Sequence, residues 1–419
     1  MGATIDNLGL LQINYIEDLV VDILQNGAKA FKDVETKTWE GLELDFRLRT
    51  ARTTGMSFTE DGGARSTADK QDYVTAKAGR RFYEAKVQVS IGALAAAKSR
   101  SKSFLSVVES EVKGVMNDAL SFFNKFYFRD GTGVVGLLKG SPASATANIQ
   151  IDNAQLLWRG GIYEVRDTSA SDAVLNDIKV KDVESAIDTD GWAQFAIDTT
   201  YGTGIVSASA AAADKVVWKG TGANSAWNRV FSGLDLLVDD ASSTFQNVNV
   251  TTYPEYAAYV DSGGGTNRPL TPLLLRRTLA AVAQKAGNSD RASRKYKAYS
   301  NAWIGAEWEG MYEGAYRLSA GDGSVGFNAP RFMSQLGEVE LDNDTDCVRN
   351  KLFLVDRAQV KHLVQKPLSF DRIGNEVFVP SQNNMTASAV MSMVSQMMIE
   401  DRTTSAKLED IEDNAQTSY

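Results

Sequence analysis

A long polar stretch between two alternating segments constrains the fold of this chain more than any other feature. Large apolar and charged side chains alternate over residues 42–48, and a second alternating run covers residues 83–91. Strict alternation is the period of a half-buried strand, so both segments are predicted to be strands. The 33 residues between them, 50–82, contain a Gly62-Gly63 pair and few large apolar side chains. A loop of that length is uncommon in a compact domain and is usually functional or disordered.

The charge of this stretch is opposite to that of the rest of the chain. Residues 49–82 hold seven Lys/Arg and four Asp/Glu, or +3, whereas the whole chain carries −9, which leaves −12 for the remainder. A positive projection on an acidic body favours electrostatic docking, for example onto another copy of the chain. A solvated loop is the alternative. The overall charge of −9 argues against general coating of nucleic acid, which needs a basic surface.

The length and composition are those of a folded protein with two or three domains. The chain has 419 residues, of which 43% are hydrophobic and 23% charged, and no run of 18 apolar residues that would predict a membrane span. Its first 21 residues lack the basic start of a signal peptide.

The single cysteine, Cys347, excludes an intrachain disulfide and a multi-cysteine metal site. Synthesis in a reducing compartment is expected.

Two helices and one β-rich region stand out in the pattern. Residues 103–128 repeat apolar side chains at spacings of three and four, which predicts a helix roughly 39 Å long. A second helix is predicted from Thr271 as N-cap to Gly287. From about 148 to 225, short strand-like runs separated by Gly, Asp, Ser and Thr predict a small β-barrel or sandwich. The amphipathic segment at residues 10–35 predicts a short helix followed by an arm.

The candidates for chemistry are few. His362 is the only histidine, and a lone histidine beside apolar residues favours a structural role. The pattern G-x-G-x-x-G occurs at 131–136 and 321–326, but neither copy follows a strand and opens a helix, so both predict turns. The acidic run at 342–346 lacks the glycine and glutamate of a calcium loop. No catalytic, cofactor-binding or metal-binding residue is therefore predicted.

The C-terminal methionines allow two interpretations. An adaptable binding surface and ordinary packing, within a domain or between subunits, are both compatible with their spacing. The residues concerned are Met385, Met391, Met393, Met397 and Met398.

In this order the segments resemble the major capsid proteins of tailed bacteriophages with the HK97-type fold. Residues 36–91 resemble the extended E-loop, 103–128 the spine helix of the peripheral P-domain, 128–138 the glycine turn after it, and 326–363 the axial A-domain. The resemblance implies an α+β fold with these parts: N-terminal arm 1–35, E-loop hairpin 36–95, P-domain 96–147, inserted β-rich domain 148–225, A-domain 226–370, and a return to the P-domain with the C-terminal tail, 371–419. The inserted domain resembles that of P22-type coat proteins.

The resemblance also implies function and partners. The expected role is a non-enzymatic shell subunit that forms hexamers, pentamers and an icosahedral capsid around double-stranded DNA, without sequence-specific binding, cofactor or membrane contact. Scaffold and portal proteins are expected partners and a decoration protein a further one, with assembly in the host cytoplasm. Covalent cross-linking through Lys70 or Lys77 has no supporting motif. The residues predicted to contact a neighbouring subunit are Arg47, Arg49, Arg52, Glu60, Asp61, Arg65, Lys70, Asp72, Lys77, Arg80 and Arg81.

Two other functions remain compatible with the sequence. An encapsulin-like nanocompartment shares this fold, although the chain is long for one and the inserted β region favours a virus. A hydrolase or binding protein with an unidentified site is the third interpretation, and no histidine or cysteine cluster supports it.

Overall fold

A computed structural model gives the structure of most of the chain. The described residues are 28–61, 63–91, 102–139, 148–153, 156–187, 193–201, 210–222, 225–241, 244–287, 294–313, 331–334, 336–371, 379–380 and 385–412. The sequence predictions for residues 10–27, for residues 204–209 of the β-rich region and for the glycine pattern at 321–326 lie outside them.

The described residues form two compact units, each assembled from several chain segments. The first unit comprises residues 84–91, 102–122, 368–371, 379–380 and 385–392. The second comprises the described residues within 28–83, 123–367 and 393–412. Among all of these residues, no helix combines the length and apolar character needed to cross a membrane.

The described α-helices confirm both helix predictions. They are α1 Lys29–Lys32, α2 Lys102–Tyr127, α3 Leu234–Leu237, α4 Pro272–Lys285 and α5 Ala302–Glu313. The long helix predicted at 103–128 is α2. The helix predicted from Thr271 is α4, and the Thr271 side chain accepts a hydrogen bond from the backbone N–H of Leu274 at 3.2 Å. That bond satisfies one of the free N–H groups of the first turn.

The strands are numbered in chain order. They are β1 Glu35–Thr38, β2 Glu43–Arg49, β3 Tyr73–Gly79, β4 Arg81–Ser90, β5 Val134–Leu137, β6 Asn148–Ile151, β7 Ile162–Asp167, β8 Ala173–Ile187, β9 Ala193–Ile197, β10 Lys215–Trp218, β11 Thr244–Phe245, β12 Val248–Asn249, β13 Tyr259–Asp261, β14 Lys295–Ser300, β15 Arg331–Ser334, β16 Gly337–Asn343, β17 Leu352–Asp356, β18 Val360–Phe370, β19 Val379–Pro380, β20 Thr386–Ile399 and β21 Ala406–Leu408.

The segment 41–91 contains three strands, whereas the sequence predicts two. β2 pairs antiparallel with β3, from Glu43 opposite Gly79 to Arg49 opposite Tyr73. β4, expected as the hairpin partner of β2, pairs with β20 instead. β3 is not predicted, because its inward positions carry Ala76 and Ala78, which are too small to give an alternating pattern of large apolar side chains. The loop therefore covers residues 50–72.

The β-rich region forms a closed barrel. Six antiparallel strands follow the order β5-β10-β7-β8-β9-β6. An antiparallel bridge between Leu138 and Ile151 joins the two ends of this order, so the ring of strands closes. Closure leaves no free sheet edge and encloses an apolar interior. The predicted β-rich, barrel-like region is thus present, and its first strand starts at Val134. Its status as an inserted domain over 148–225 and its likeness to P22-type coat proteins stay predictions.

A second six-stranded sheet carries two helices. Its order is β13-β21-β17-β14-β16-β15, with β13-β21 and β14-β16 parallel and the other pairs antiparallel. Buried side chains of α4 and α5 pack with those of the sheet, among them Leu275, Leu279, Val282, Ile304, Trp308, Leu352 and Leu354. β21 belongs to the segment 371–419, which the sequence assigns to the P-domain and tail. It joins this sheet because Ala406 and Leu408 are fully buried in the same core.

Most methionine side chains of the C-terminal segment pack within the protein. The segment forms β20, in which Met391, Met393, Met397 and Met398 are all buried. Only Met385, just before the strand, is exposed. The unbranched thioether side chain suits such packing because it fills irregular space.

His362 has a structural position in an aromatic cluster. Its ring centroid lies 4.7 Å from that of Phe31, which also stacks with Phe123, Tyr127 and Phe231. The imidazole Nε2 has no hydrogen-bond partner among the described residues. Burial lowers the pKa of His362 from 6.5 to about 4. The neutral ring is therefore the folded form.

This burial predicts a pH-dependent loss of stability. The unfolded chain protonates His362 near pH 6.5, whereas the folded chain does so only near pH 4. The contribution of neutral His362 to the free energy of unfolding is therefore complete above pH 6.5 and is lost as the pH falls toward 4. Between pH 7 and pH 5, the free energy of unfolding should fall by about 2 kcal/mol less in His362→Gln than in the unsubstituted chain, as measured by urea titration. Parallel pH profiles for the two proteins would contradict this assignment.

Candidate subunit-contact arm

The hairpin β2–β3 is fixed to the body of the second unit at its base. One face of the hairpin is apolar, and its Leu44 and Phe46 pack against a buried cluster of Trp39, Ala78, Leu363 and Met398. On the outer edge of β3, the backbone N–H of Lys77 donates to the carbonyl of Gln246 at 2.8 Å. The hairpin with its loop, residues 43–79, is called the arm below. Apolar burial and a backbone bond hold its base in one orientation.

The opposite face of the hairpin is polar and pairs internally at one point. Lys77 Nζ donates to Glu43 Oε2 at 3.0 Å, and this hydrogen bond raises the pKa of Lys77. Lys77 thus already has a carboxylate partner within its own chain. Of the eleven residues predicted to contact a neighbour, it is the least available to a second subunit.

The two legs of the loop, residues 50–55 and 65–72, are cross-linked by polar contacts. Thr50 N–H donates to the carbonyl of Asp72 at 2.9 Å, and Thr54 N–H donates to Asp69 Oδ2 at 3.0 Å. Hydrogen bonds from Thr54 lower the pKa of Asp69. The last cross-link joins the Ser66 hydroxyl to the carbonyl of Gly55 at 2.8 Å. The legs are therefore tied together although they have no apolar core.

Gly55 is required by this close approach of the legs. A Cβ atom at position 55 would lie 2.9 Å from the carbonyl oxygen of Thr67, closer than real Cβ contacts. Beyond Gly55 the chain forms the tip, residues 56–64, where Gly63 N–H donates to the Glu60 carbonyl at 2.9 Å. Every described residue from Met56 to Tyr73 is exposed. The tip therefore projects into solvent from tied legs.

Ten of the eleven predicted contact residues are exposed, and Lys77 is half-buried. Arg47 and Arg49 lie on β2, Lys77 lies on β3, Arg80 lies between β3 and β4, and Arg81 is the first residue of β4. The other six lie on the legs or the tip. Arg80 lies over the ring of Phe82, 5.1 Å from its centroid. Exposure makes these side chains available, and their contact with another subunit stays a prediction.

Charge patterning missed the two most exposed apolar residues of the arm. Phe58 is 108% exposed and Met56 76%, and both lie on the tip. Their signal in the sequence is faint, because two apolar residues in a polar loop leave its average composition unchanged. A large apolar side chain in full contact with water indicates a binding surface when it lies at the end of a projecting arm.

The acidic run at 342–346 is occupied by contacts within the protein. Asn124 Nδ2 donates to Asp344 Oδ2 at 3.0 Å and to Asp346 Oδ2 at 2.8 Å, and Lys297 Nζ lies 2.6 Å from Asp342 Oδ2. Burial, as the largest cause, raises the pKa of Asp346 to about 6. In the part of the chain that the structure describes, no three His, Cys, Asp or Glu side chains are grouped to hold a metal ion.

The remaining sequence candidates for chemistry have structural explanations. Cys347 is fully buried, which raises the pKa of its thiol well above the ordinary value. Gly131 and Gly133 have φ of +81° and +86° and form the turn after α2, as predicted. A cleft of about 480 Å³ offers no histidine or cysteine among its lining residues, which are Arg294, Lys295, Tyr296, Lys297, Arg331, Glu338, Glu340, Asp356, Arg357 and Ala358.

Comparison by sequence finds no relative, whereas comparison by structure does. No family model matches the chain, and no curated protein matches it. A chain of the cyanophage A-1(L) capsid asymmetric unit superposes with a TM-score of 0.58 at 10% identity, over 95% of this chain and 96% of that one. A chain of the capsid of the native GTA particle superposes with a TM-score of 0.51 at 8% identity, over 96% and 97%.

Coverage of both chains is nearly complete in these superpositions, so the whole fold is shared and not one domain of it. The chain has the mixed α+β fold of HK97-like capsid proteins. Identities near one residue in ten explain why the sequence motifs are degenerate and why sequence comparison finds nothing.

Proposed function

We propose that the chain is the major capsid protein of a tailed bacteriophage. In this proposal it assembles through hexamers and pentamers into an icosahedral shell that encloses double-stranded DNA. The observation that supports it best is the shared fold, which extends over nearly the full length of two capsid chains. Both of those neighbours are capsids, and this favours a virus over an encapsulin-like nanocompartment.

The arm supports the proposal independently of the comparisons. It is anchored at its base, and the described residues of its tip are exposed. Residues 49–82, which include its loop and β3, carry +3, while the rest of the chain carries −12. Such an element gains energy only when another molecule covers it, because ordering a polar loop costs conformational entropy that its own contacts do not offset. In a shell, every arm has an identical neighbour to cover it.

The partners follow from the same role. A scaffold protein and a portal are proposed for assembly, and a decoration protein for the outer surface. The virion capsid is the proposed location, after assembly in the host cytoplasm. The role is structural, with no catalytic step. The charge of −9 suits a shell that holds DNA loosely, since tight binding requires a basic surface.

Particle size tests the proposal. The full chain, expressed alone and at rising concentration, is expected to yield capsomers or particles in the void volume of a sizing column, with closed shells in electron micrographs. Assembled shells are expected to bind added DNA weakly and with little dependence on salt. A stable monomer at every concentration would favour the hydrolase or binding-protein interpretation instead.

A further inference from the structure

We propose that Phe58, with Met56 beside it, is the apolar anchor through which the arm binds a second copy of this chain. This inference rests on the proposed function and adds to it the residues that dominate the contact. It also separates two roles within the arm. The cations of the legs and strands orient the encounter, and the apolar tip holds the bound state.

The charges of the arm support this division. From Thr53 to Ala64 the chain contains Glu60 and Asp61 but no Lys or Arg. The cations of the loop, Arg52, Arg65 and Lys70, all lie on the legs. The end of the arm is therefore apolar and acidic, and an attraction between cations and an acidic surface cannot operate there. Attraction between charges explains how the legs dock. The tip must bind through the apolar side chains of Phe58 and Met56.

The legs preorganise this tip. The Ser66–Gly55 hydrogen bond comes immediately before Met56, and the Thr54–Asp69 bonds lie one residue further down. Because Gly55 leaves no room for a side chain, the legs stay in close contact at this point. An anchor presented by tied legs loses less conformational entropy on binding than one on a free loop. Large aromatic side chains that fill a partner's pocket are the usual dominant contacts of protein interfaces.

The occupant we commit to is a second copy of the chain. The legs carry three cations and two carboxylates, or +1, and residues 49–82 as a whole carry +3, while the rest of the chain carries −12. An acidic complement for the cations of the legs therefore exists on the chain itself. The tip does not use its own body, since every described residue from 56 to 73 is exposed. A head-to-tail contact of this kind uses two different surfaces of one chain and can close into a ring.

Matched alanine substitutions test the anchor in the full chain. Phe58→Ala is expected to raise the lowest chain concentration that gives particles at least about tenfold, and Met56→Ala by a smaller factor. Phe82→Ala and Met333→Ala are the controls, because Phe82 is 66% exposed and Met333 73%, and both lie off the arm. The controls are expected to assemble as the unsubstituted chain does. Phe58→Leu, which keeps apolar volume, is expected to restore most of the assembly.

The results separate this inference from the proposed function. If the unsubstituted chain forms neither capsomers nor particles, the proposed function fails. If it forms particles and Phe58→Ala forms them at the same concentration, or if a control is equally impaired, the anchor alone is wrong. All four alanine variants are expected to keep the circular dichroism and melting temperature of the parent, since the replaced side chains are exposed.

A photo-crosslinking amino acid at position 58 identifies the occupant. The proposal predicts a product of twice the chain mass when assembling chains are irradiated. A cross-link confined to the same chain, or one to a co-purified protein of a different mass, would overturn the choice of a second copy.

Discussion

Replacement of residues 51–71 by the dipeptide Asn-Gly is expected to abolish shell formation and leave the body folded. The change joins Thr50 to Asp72, whose backbones already meet in a 2.9 Å hydrogen bond. Asn-Gly is a favoured turn between antiparallel strands, so β2 and β3 keep their register. The removed residues are mostly exposed. We therefore expect the free energy of unfolding to change by less than about 1 kcal/mol, while assembly loses every contact of the tip and legs.

Urea unfolding and electron microscopy measure the two effects separately. A matched control places the same dipeptide at Gly264-Gly265, an exposed turn whose φ values of +69° and +82° Asn and Gly tolerate. The control is expected to give normal shells. Normal shells from the arm replacement would show that the arm has no role in assembly.

The substitution Lys407→Met is expected to lower the free energy of unfolding by about 3–5 kcal/mol, because it leaves buried carboxylates without their cation. Lys407 is 5% exposed in its side chain, and its Nζ lies 3.0 Å from Asp235, 3.0 Å from Asp239 and 3.1 Å from Glu409. Burial alone would lower the pKa of Lys407, but these carboxylates outweigh it and raise the pKa above the ordinary value. Among the described residues, Lys351 would be the one cation still paired with Asp235 and Glu409.

The pH dependence and a control distinguish this network from surface charge. Because the pKa of Lys407 is raised, its contribution to the free energy of unfolding is complete at neutral pH. That contribution is lost only when the pH rises above the ordinary lysine range. The lowered pKa of Asp235 means that its stabilisation is lost as the pH falls below about 3.8. The difference between Lys407→Met and the parent should therefore be constant from pH 6 to pH 9 and shrink in acid. Lys77→Met, which breaks a pair at the surface, should leave the free energy of unfolding nearly unchanged, and an equal effect of the two substitutions would contradict this assignment.

Local signals made the helices predictable from the sequence. The repeat that gives α2 and the threonine cap with proline that start α4 act within a few residues, so no distant partner is needed to recognise them. Five of the six barrel strands, β6 to β10, were predictable as strands for the same reason, whereas β5 lies within residues 128–138, which were predicted to be a turn. Closure of the barrel through Leu138 and Ile151 was not predictable, because it depends on a pairing between distant segments.

The errors have physical causes at particular positions. β3 escapes detection because small side chains, Ala76 and Ala78, fill its inward positions. β21 was not predicted as a strand because three residues give no periodicity, and only the sheet beside them explains their burial. On the arm, charge identified exposed residues correctly but ranked Lys77 with the others, although Glu43 already neutralises it. The same criterion overlooked Phe58, which carries no charge.

A cryo-electron microscopy reconstruction of the purified, assembled chain shows whether the chain is a shell subunit and what its arm contacts. We expect a closed icosahedral shell in which residues 50–72 lie on an adjacent copy, with the Phe58 side chain buried in that copy's surface. A chain that remains monomeric under all assembly conditions, or a shell in which this loop folds back onto its own subunit, would contradict it.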